Sequence, residues 1–244
     1  MSHSKQIVYT PIRALLLDFD GTIVDTKRFY FELAAFYLRK DPEELVLLAD
    51  DLSFSKLAPT VRNVKWRIIT TVYQVARALG IGRAKALSAV NYVRKNHLTQ
   101  FSKAQPTPDA VFALKQLHTA KIKLAIVSHT SRRKIQIFLE THLKRTPYFP
   151  SGHILAGEDL GKNKEDAIVH FLRKWEMTDT PREMAIVGDL GGDIISGKNI
   201  GITTIGLTTG FGLRPILEQT NPDAIYSSLL ELEKHIHLFF IEEK

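Results

Sequence analysis

Short apolar runs rich in β-formers alternate with helical patterns through most of this 244-residue chain. The runs lie at 12–17, 123–128, 153–155, 184–188, 202–207 and 224–226, and helical patterns occupy about 108–120, 131–143, 164–176 and 192–200. Such alternation predicts βαβ units, hence an α/β fold with a parallel sheet covered by helices on both faces. A sheet of this kind gathers the carboxyl ends of its strands at one edge, where ligands and chemistry collect.

The stretch 26–104 breaks the alternation and contains no convincing strand. Phe29, Leu33, Phe36 and Tyr37 fall on one helical face. Asp41-Pro42-Glu43-Glu44 reads as a helix start, with an acid at the cap, proline in the first turn and Glu three residues after the cap. Val61, Val64, Ile68, Val72, Val75 and Leu79 keep a helical period that Gly80 can end, and 84–97 reads as another helix. A block of helices inserted just after the first strand is expected to cap the sheet's carboxyl edge. Pro106-Thr107-Pro108 marks the return. The expected organisation is a core domain from 1–25 and 105–244, with an all-helical cap domain at 26–104.

Four pieces of chemistry stand at or beside the apolar runs. Asp18 and Asp20 leave the first run one residue apart, in Asp18-Phe19-Asp20-Gly21-Thr22. Alternate side chains of an extended segment point the same way, so both acids can address one small volume unless the chain turns between them. Gly21 permits an immediate turn, and Thr22 is expected to cap the next helix. Ser128 ends the second run, a lysine (Lys162 or Lys164) heads a helix, and Gly188-Asp189 with Asp193 follows the run at 184–188.

A strand-end Asp taken alone often only caps a helix. Several acids converging without partners repel one another and raise their pKa values, and a divalent cation removes that cost. Carboxylates with several waters are what Mg²⁺ prefers. Acids, a lysine and a hydroxyl around one cation are the parts phosphoryl transfer needs, because catalysis there is mostly positioning and charge compensation. One carboxylate can attack as nucleophile, and a second can donate and later accept a proton.

Taken in order, Asp18-Phe19-Asp20-Gly21-Thr22, Ser128, a helix-leading lysine and Val187-Gly188-Asp189 with Asp193 resemble the four motifs of the haloacid dehalogenase-like hydrolase superfamily. The resemblance runs from about residue 12 to 240. It implies a Rossmann-like core with an inserted helical cap and a Mg²⁺-dependent phosphatase acting through an aspartyl-phosphate. Carried over by position, Asp18 is nucleophile and metal ligand. Asp20 is general acid and base and offers its backbone carbonyl to the metal. Ser128 and the lysine bind the phosphoryl group, Asp189 is a metal ligand, Asp193 supports the metal shell, and Gly21 and Thr22 shape the loop after the nucleophile. Lys164, with an apolar residue four positions later, fits the pattern better than Lys162, which matches another spacing; the usual proline after the lysine is missing in both registers. His129 stands where asparagine is common, and it is read either as a loop histidine bonded to backbone or as a contact to phosphate or leaving group.

The implied substrate is a small phosphorylated metabolite, with a phosphoglycolate-like phosphomonoester as the example. A phosphomutase of the β-phosphoglucomutase type keeps the same four motifs. A phosphonatase would need a cap lysine, for which Lys56 and Lys65 are open, and a dehalogenase would not need Asp20. Arg62, Asn63, Lys65, Trp66 and Arg67 form a polar cluster on the cap without an assigned role, and neither His153 nor His170 has metal-ligand spacing. The net charge of +7 favours anionic substrates, but Lys and Arg are spread without a long basic block, so nucleic acid is not an expected partner. There is no cysteine, no apolar h-region at the start and no run long enough to span a bilayer; a cytoplasmic protein with no membrane partner is expected. Apolar helical stripes serve a cap or a dimer contact alike, so they set no oligomeric state.

Overall fold

The computed structural model describes residues 7–9, 11–56, 64–144, 148–150, 152–161, 163–236 and 240–242. In chain order, β1 (Ile7–Tyr9) and β2 (Ala14–Leu17) precede four helices: α1 (Thr26–Leu38), α2 (Pro42–Lys56), α3 (Val64–Ala78) and α4 (Arg83–Asn96). Then come α5 (Ala110–Thr119), β3 (Lys123–Val127), α6 (Arg132–His142), β4 (Ile154–Leu155), α7 (Glu165–Lys174), β5 (Met184–Gly188) and α8 (Gly191–Ile200). The chain finishes with β6 (Thr203–Leu207), α9 (Arg214–Glu218), β7 (Ala224–Tyr226), α10 (Leu229–His235) and β8 (Phe240–Glu242).

Six strands form one parallel sheet in the order β4-β3-β2-β5-β6-β7. Its inner strands are buried on both faces, which explains their continuous apolar sequence. Alternate residues still divide cleanly. Leu15, Leu17, Leu124, Ile126, Ala185 and Val187 join one apolar cluster, while Ala14, Leu16, Ala125, Val127, Met184 and Ile186 join another with Ile168, Phe171 and Trp175 of the α7 region. The sheet thus has the α/β, doubly covered architecture read from the alternation. The predicted runs at 184–188 and 224–226 match their strands end to end, and the others are trimmed by one or two residues. The antiparallel pair β1–β8, together with α9 and α10, lies outside the sequence expectations.

Helices α1–α4 form an inserted all-helical block in which α1 lies against α2 and α4, and α3 packs on α2 and α4. Asp41 accepts a hydrogen bond from Glu43 N at 3.0 Å where α2 begins, and Gly80 takes φ 74° just beyond α3. Phe29 and Leu33 are buried, but Phe36 is 75% exposed, against the expectation for that face. Because α1 is packed on several sides, its outer stripe narrows to Arg28, Glu32 and Phe36 at four-residue spacing, with Phe36 stacked on Tyr92. Among the described residues no helix is long and apolar enough to cross a membrane.

The two crossings into and out of this block lie side by side. Val24 bridges Pro106 antiparallel, Asp25 N donates to Gln105 O at 2.9 Å, and Thr107 Oγ1 donates to Thr22 O at 2.8 Å. The seam beside them is closed by Lys134 of α6. Its Nζ donates to Tyr30 OH at 2.7 Å and stands 4.9 Å from the Phe101 ring centroid. Thr22 does not cap α1. Ile23 N and Val24 N bond back to Phe19 O, so the helix starts later, with Asp25 Oδ1 accepting from Arg28 N at 3.0 Å.

At the far edge, Asp223 clamps β6 to the segment before β5. Its Oδ2 accepts from Thr204 N and Thr204 Oγ1, each at 2.8 Å, and its Oδ1 accepts from Arg182 at 2.7 Å. Burial alone would raise the Asp223 carboxyl, but Arg182 and Thr204 outweigh it and hold it below the ordinary carboxylate range. A depressed folded-state pKa contributes stability above the unfolded value that is lost as pH falls through the folded one. Asp223→Asn is therefore expected to lose about 1–2 kcal/mol at pH 7 in urea unfolding, with the difference from wild type vanishing below about pH 3.

Candidate active site

The carboxyl ends of β2 and β5 bring the acids together. Asp18 continues the pairing of β2, its N donating to Val187 O at 2.8 Å, and Asp189 directly follows β5. Asp193 sits in the first turn of α8. Asp18, Asp189 and Asp193 are all buried, and each offers an oxygen within 4.8 Å of the others. Lys164, immediately before α7, reaches into this group. Its Nζ lies 2.8 Å from Asp18 Oδ1 and 2.6 Å from Asp193 Oδ1, and the residue is only 5% exposed. Lys162 lies outside the described residues.

The charges in this cluster are strongly coupled. Burial, then the Asp18 and Asp193 charges, push the Asp189 carboxyl well above its ordinary range. Burial also raises Asp193, to about 6, against the pull of Lys164. Burial alone would lower the Lys164 ammonium, but Asp18 and Asp193 together outweigh it and raise it. Asp189 Oδ2 accepts from Phe211 N at 2.7 Å, while its Oδ1 is buried with no hydrogen-bond partner. With all groups ionised, three carboxylates face one ammonium in a dry site. A divalent cation would balance that excess and satisfy the orphaned oxygen, so the donor set fits Mg²⁺.

Asp20 is placed differently. The chain turns through Gly21 at φ 75°, and the Asp20 carboxylate stands apart from the three-acid group. Thr26 Oγ1 donates to its Oδ1 at 2.6 Å, and Thr130 Oγ1 donates to its Oδ2. Both oxygens are thereby oriented by hydroxyls from α1 and from the loop after β3. Tyr30 lies close by: burial, then the Asp20 charge, hold its phenol raised and neutral. Ser128 is buried at the end of β3, its Oγ accepting from Thr130 N at 3.3 Å, and His129 is exposed. Thr22 is fully buried, with its hydroxyl unpartnered. Arg62 and Asn63 lie outside the described residues, as do the side chains of Lys56, Lys65, Trp66 and Arg67.

A comparison with known families gives the decisive finding. The sequence profile of the family described as haloacid dehalogenase-like hydrolase matches residues 15–207. The chain belongs to the haloacid dehalogenase-like hydrolase family. Relatives with this likeness include the phosphoglycolate phosphatase of Vibrio vulnificus (strain CMCP6), 30% identical over 125 residues that make up 51% of this chain. That match spans about half the relative's length, 54%. The phosphoglycolate phosphatase of Photorhabdus laumondii is 25% identical over 233 residues, 93% of each chain. Among solved structures, a putative phosphatase from Clostridium difficile superposes with a TM-score of 0.66 at 19% identity, covering 93% of this chain and 100% of that one. A haloacid dehalogenase family hydrolase from Deinococcus radiodurans, solved with bound phosphate and sodium, gives 0.66 at 15% identity over 96% and 100%. At these identities the structural likeness speaks for the fold.

Within this family member, sequence reasoning misses Thr26 and Thr130, the two hydroxyls on Asp20. It also misses the loop after β6, where Phe211 N meets Asp189. Thr26 looks like ordinary helix-start chemistry beside Asp25. The loop carries a visible signal in Thr208-Thr209-Gly210-Phe211-Gly212, a pair of glycines around an aromatic just past a strand.

Proposed function

We propose that this chain is a Mg²⁺-dependent phosphatase of a small phosphomonoester, phosphoglycolate-like in size and charge, working through an aspartyl-phosphate. The observation that carries the reading is the buried group Asp18, Asp189 and Asp193 bridged by Lys164. A packing role would not call for three desolvated carboxylates, each costing several kcal/mol to bury. The names of the relatives support the substrate class, and the net positive charge favours an anionic one.

In this reading Asp18, Asp189, Asp193 and the Asp20 carbonyl hold the ion. Bound Mg²⁺ offsets charge so that an anionic nucleophile can approach an anionic phosphate. The Asp18 carboxylate attacks phosphorus, the bond from phosphorus to the leaving oxygen breaks, and Asp20 gives that oxygen a proton. Asp20 then takes a proton from water as water attacks the aspartyl-phosphate, and inorganic phosphate leaves with Asp18 restored. Lys164 and Ser128 bind phosphoryl oxygens, Gly21 and Thr22 shape the binding loop, and His129 lies beside the leaving group. The hydroxyls of Thr26 and Thr130 hold the Asp20 carboxyl in place for both transfers.

Phosphate release from p-nitrophenyl phosphate and from phosphoglycolate, with and without EDTA, tests the reading. Release with Mg²⁺ and none with EDTA is expected, and Asp20→Asn should lower turnover by about 10²–10⁴-fold. Failure to release phosphate from either compound in Mg²⁺ would overturn it. Release from sugar phosphates but not from phosphoglycolate would overturn the substrate assignment alone.

A further inference from the structure

The loop Thr208–Leu213, after β6, bears no charged side chain, yet it touches the metal-binding group and the acid-bearing turn at once. Phe211 N donates to Asp189 Oδ2 at 2.7 Å, while the Phe211 side chain is buried in the main apolar cluster. Thr209 Oγ1 donates to Gly21 O at 2.5 Å. Gly210 and Gly21 face each other across Asp189. A β-carbon on Gly210 would overlap Asp189 Oδ2 and stand 2.7 Å from Gly21 Cα, and one on Gly21 would overlap the same carboxylate. A β-carbon on Gly212 would overlap Asp189 O. The Asp189 carboxylate therefore lies in a slot walled by two glycine backbones, with one oxygen tied to the loop and the other buried without a partner.

We infer that this loop is a positioning element for the metal site: it sets the Asp189 carboxylate so that its untied oxygen faces the ion, and it locks Asp189 to the Asp18–Gly21 turn. The inference rests on the proposed Mg²⁺ site and adds residues outside the acid, hydroxyl and lysine set. The physical basis is that groups which hold a ligand's second oxygen fix its orientation, and their loss commonly weakens metal binding by about 10–100-fold. Gly210 is required because any side chain there occupies the carboxylate's own space. Thr209 is required because it joins the loop to the turn that carries Asp18 and Asp20.

The test is titration of the purified proteins with MgCl₂ alone, read by heat of binding and by the rise in melting temperature that ligand linkage produces. Wild type is compared with Gly210→Ala, Thr209→Val and Gly82→Ala; a β-carbon at Gly82 meets nothing within 4 Å. Gly82→Ala should bind Mg²⁺ like wild type. Gly210→Ala should bind about 10-fold or more weakly, and Thr209→Val, which keeps the volume and removes one donor, about 3-fold more weakly. A merely structural role would lower the metal-free melting temperature while leaving the Mg²⁺ dissociation constant within two-fold of wild type, and that result overturns the inference. If Gly210→Ala does not fold, Thr209→Val decides by the same criterion. A wild type that takes up no Mg²⁺ overturns the metal site itself, and the loop's role with it; unchanged variants beside a binding wild type overturn only the loop.

Discussion

Asp18→Asn is expected to abolish Mg²⁺-dependent hydrolysis of p-nitrophenyl phosphate, a loss of about 10⁴-fold or more, while the protein stays folded. The amide fills the same volume but offers no anionic oxygen to attack phosphorus. Its neighbours remain provided for, because Lys164 keeps Asp193 at 2.6 Å. Burial is the main cause of the raised Asp189 and Asp193 carboxyls, but the Asp18 charge adds to both, so removing it relieves repulsion. The metal-free melting temperature should therefore equal or exceed that of wild type. Activity and stability then move apart, which a mutation that merely damaged the fold would not produce. Normal turnover by this variant would falsify the nucleophile assignment.

Lys164→Met should have the opposite signature, losing both activity and metal-free stability. The side chain keeps its length and apolar body but no longer bridges Asp18 and Asp193, leaving buried carboxylates without their ammonium. Removing one partner of a buried ion pair costs about 3–5 kcal/mol, a large share of a typical domain's stability. Added MgCl₂ should return most of that stability, since the cation compensates the same acids, yet turnover should stay low without the phosphate-binding ammonium. Urea unfolding with and without MgCl₂ measures the first effect, and phosphate release the second. Metal-free stability equal to wild type would show that Lys164 does not carry the charge balance of the cluster.

The parts of the fold that can be read from sequence are those with local causes. Strands β5 and β7 are apolar runs with turn residues at both ends, so their limits are visible. Helix-start spacing favours Lys164 over Lys162, and its contacts with Asp18 and Asp193 place it in the cluster. The parts that cannot be read depend on pairings distant in sequence. Strands β1 and β8 join opposite ends of the chain, which no local period reveals. Thr130 meets Asp20 across 110 positions, and Phe211 meets Asp189 only because two glycines let the backbones close. Thr22 resembles a cap in sequence but is not one, because the turn at Gly21 consumes the next amides and pushes the start of α1 beyond Thr22. Phe36 belongs inside only if α1 has a single apolar stripe, whereas that helix is packed on several sides.

The neighbouring crossings at Val24 and Pro106 have an engineering consequence. An excursion that departs and returns at adjacent points imposes little separation on the scaffold, so its length is only weakly linked to the entropy of closing it. The intervening helices can then be exchanged for a shorter or longer segment without altering strand register beneath. A chimera that keeps residues 22–25 and 105–107 and replaces what lies between should retain the catalytic platform while changing which molecules reach it.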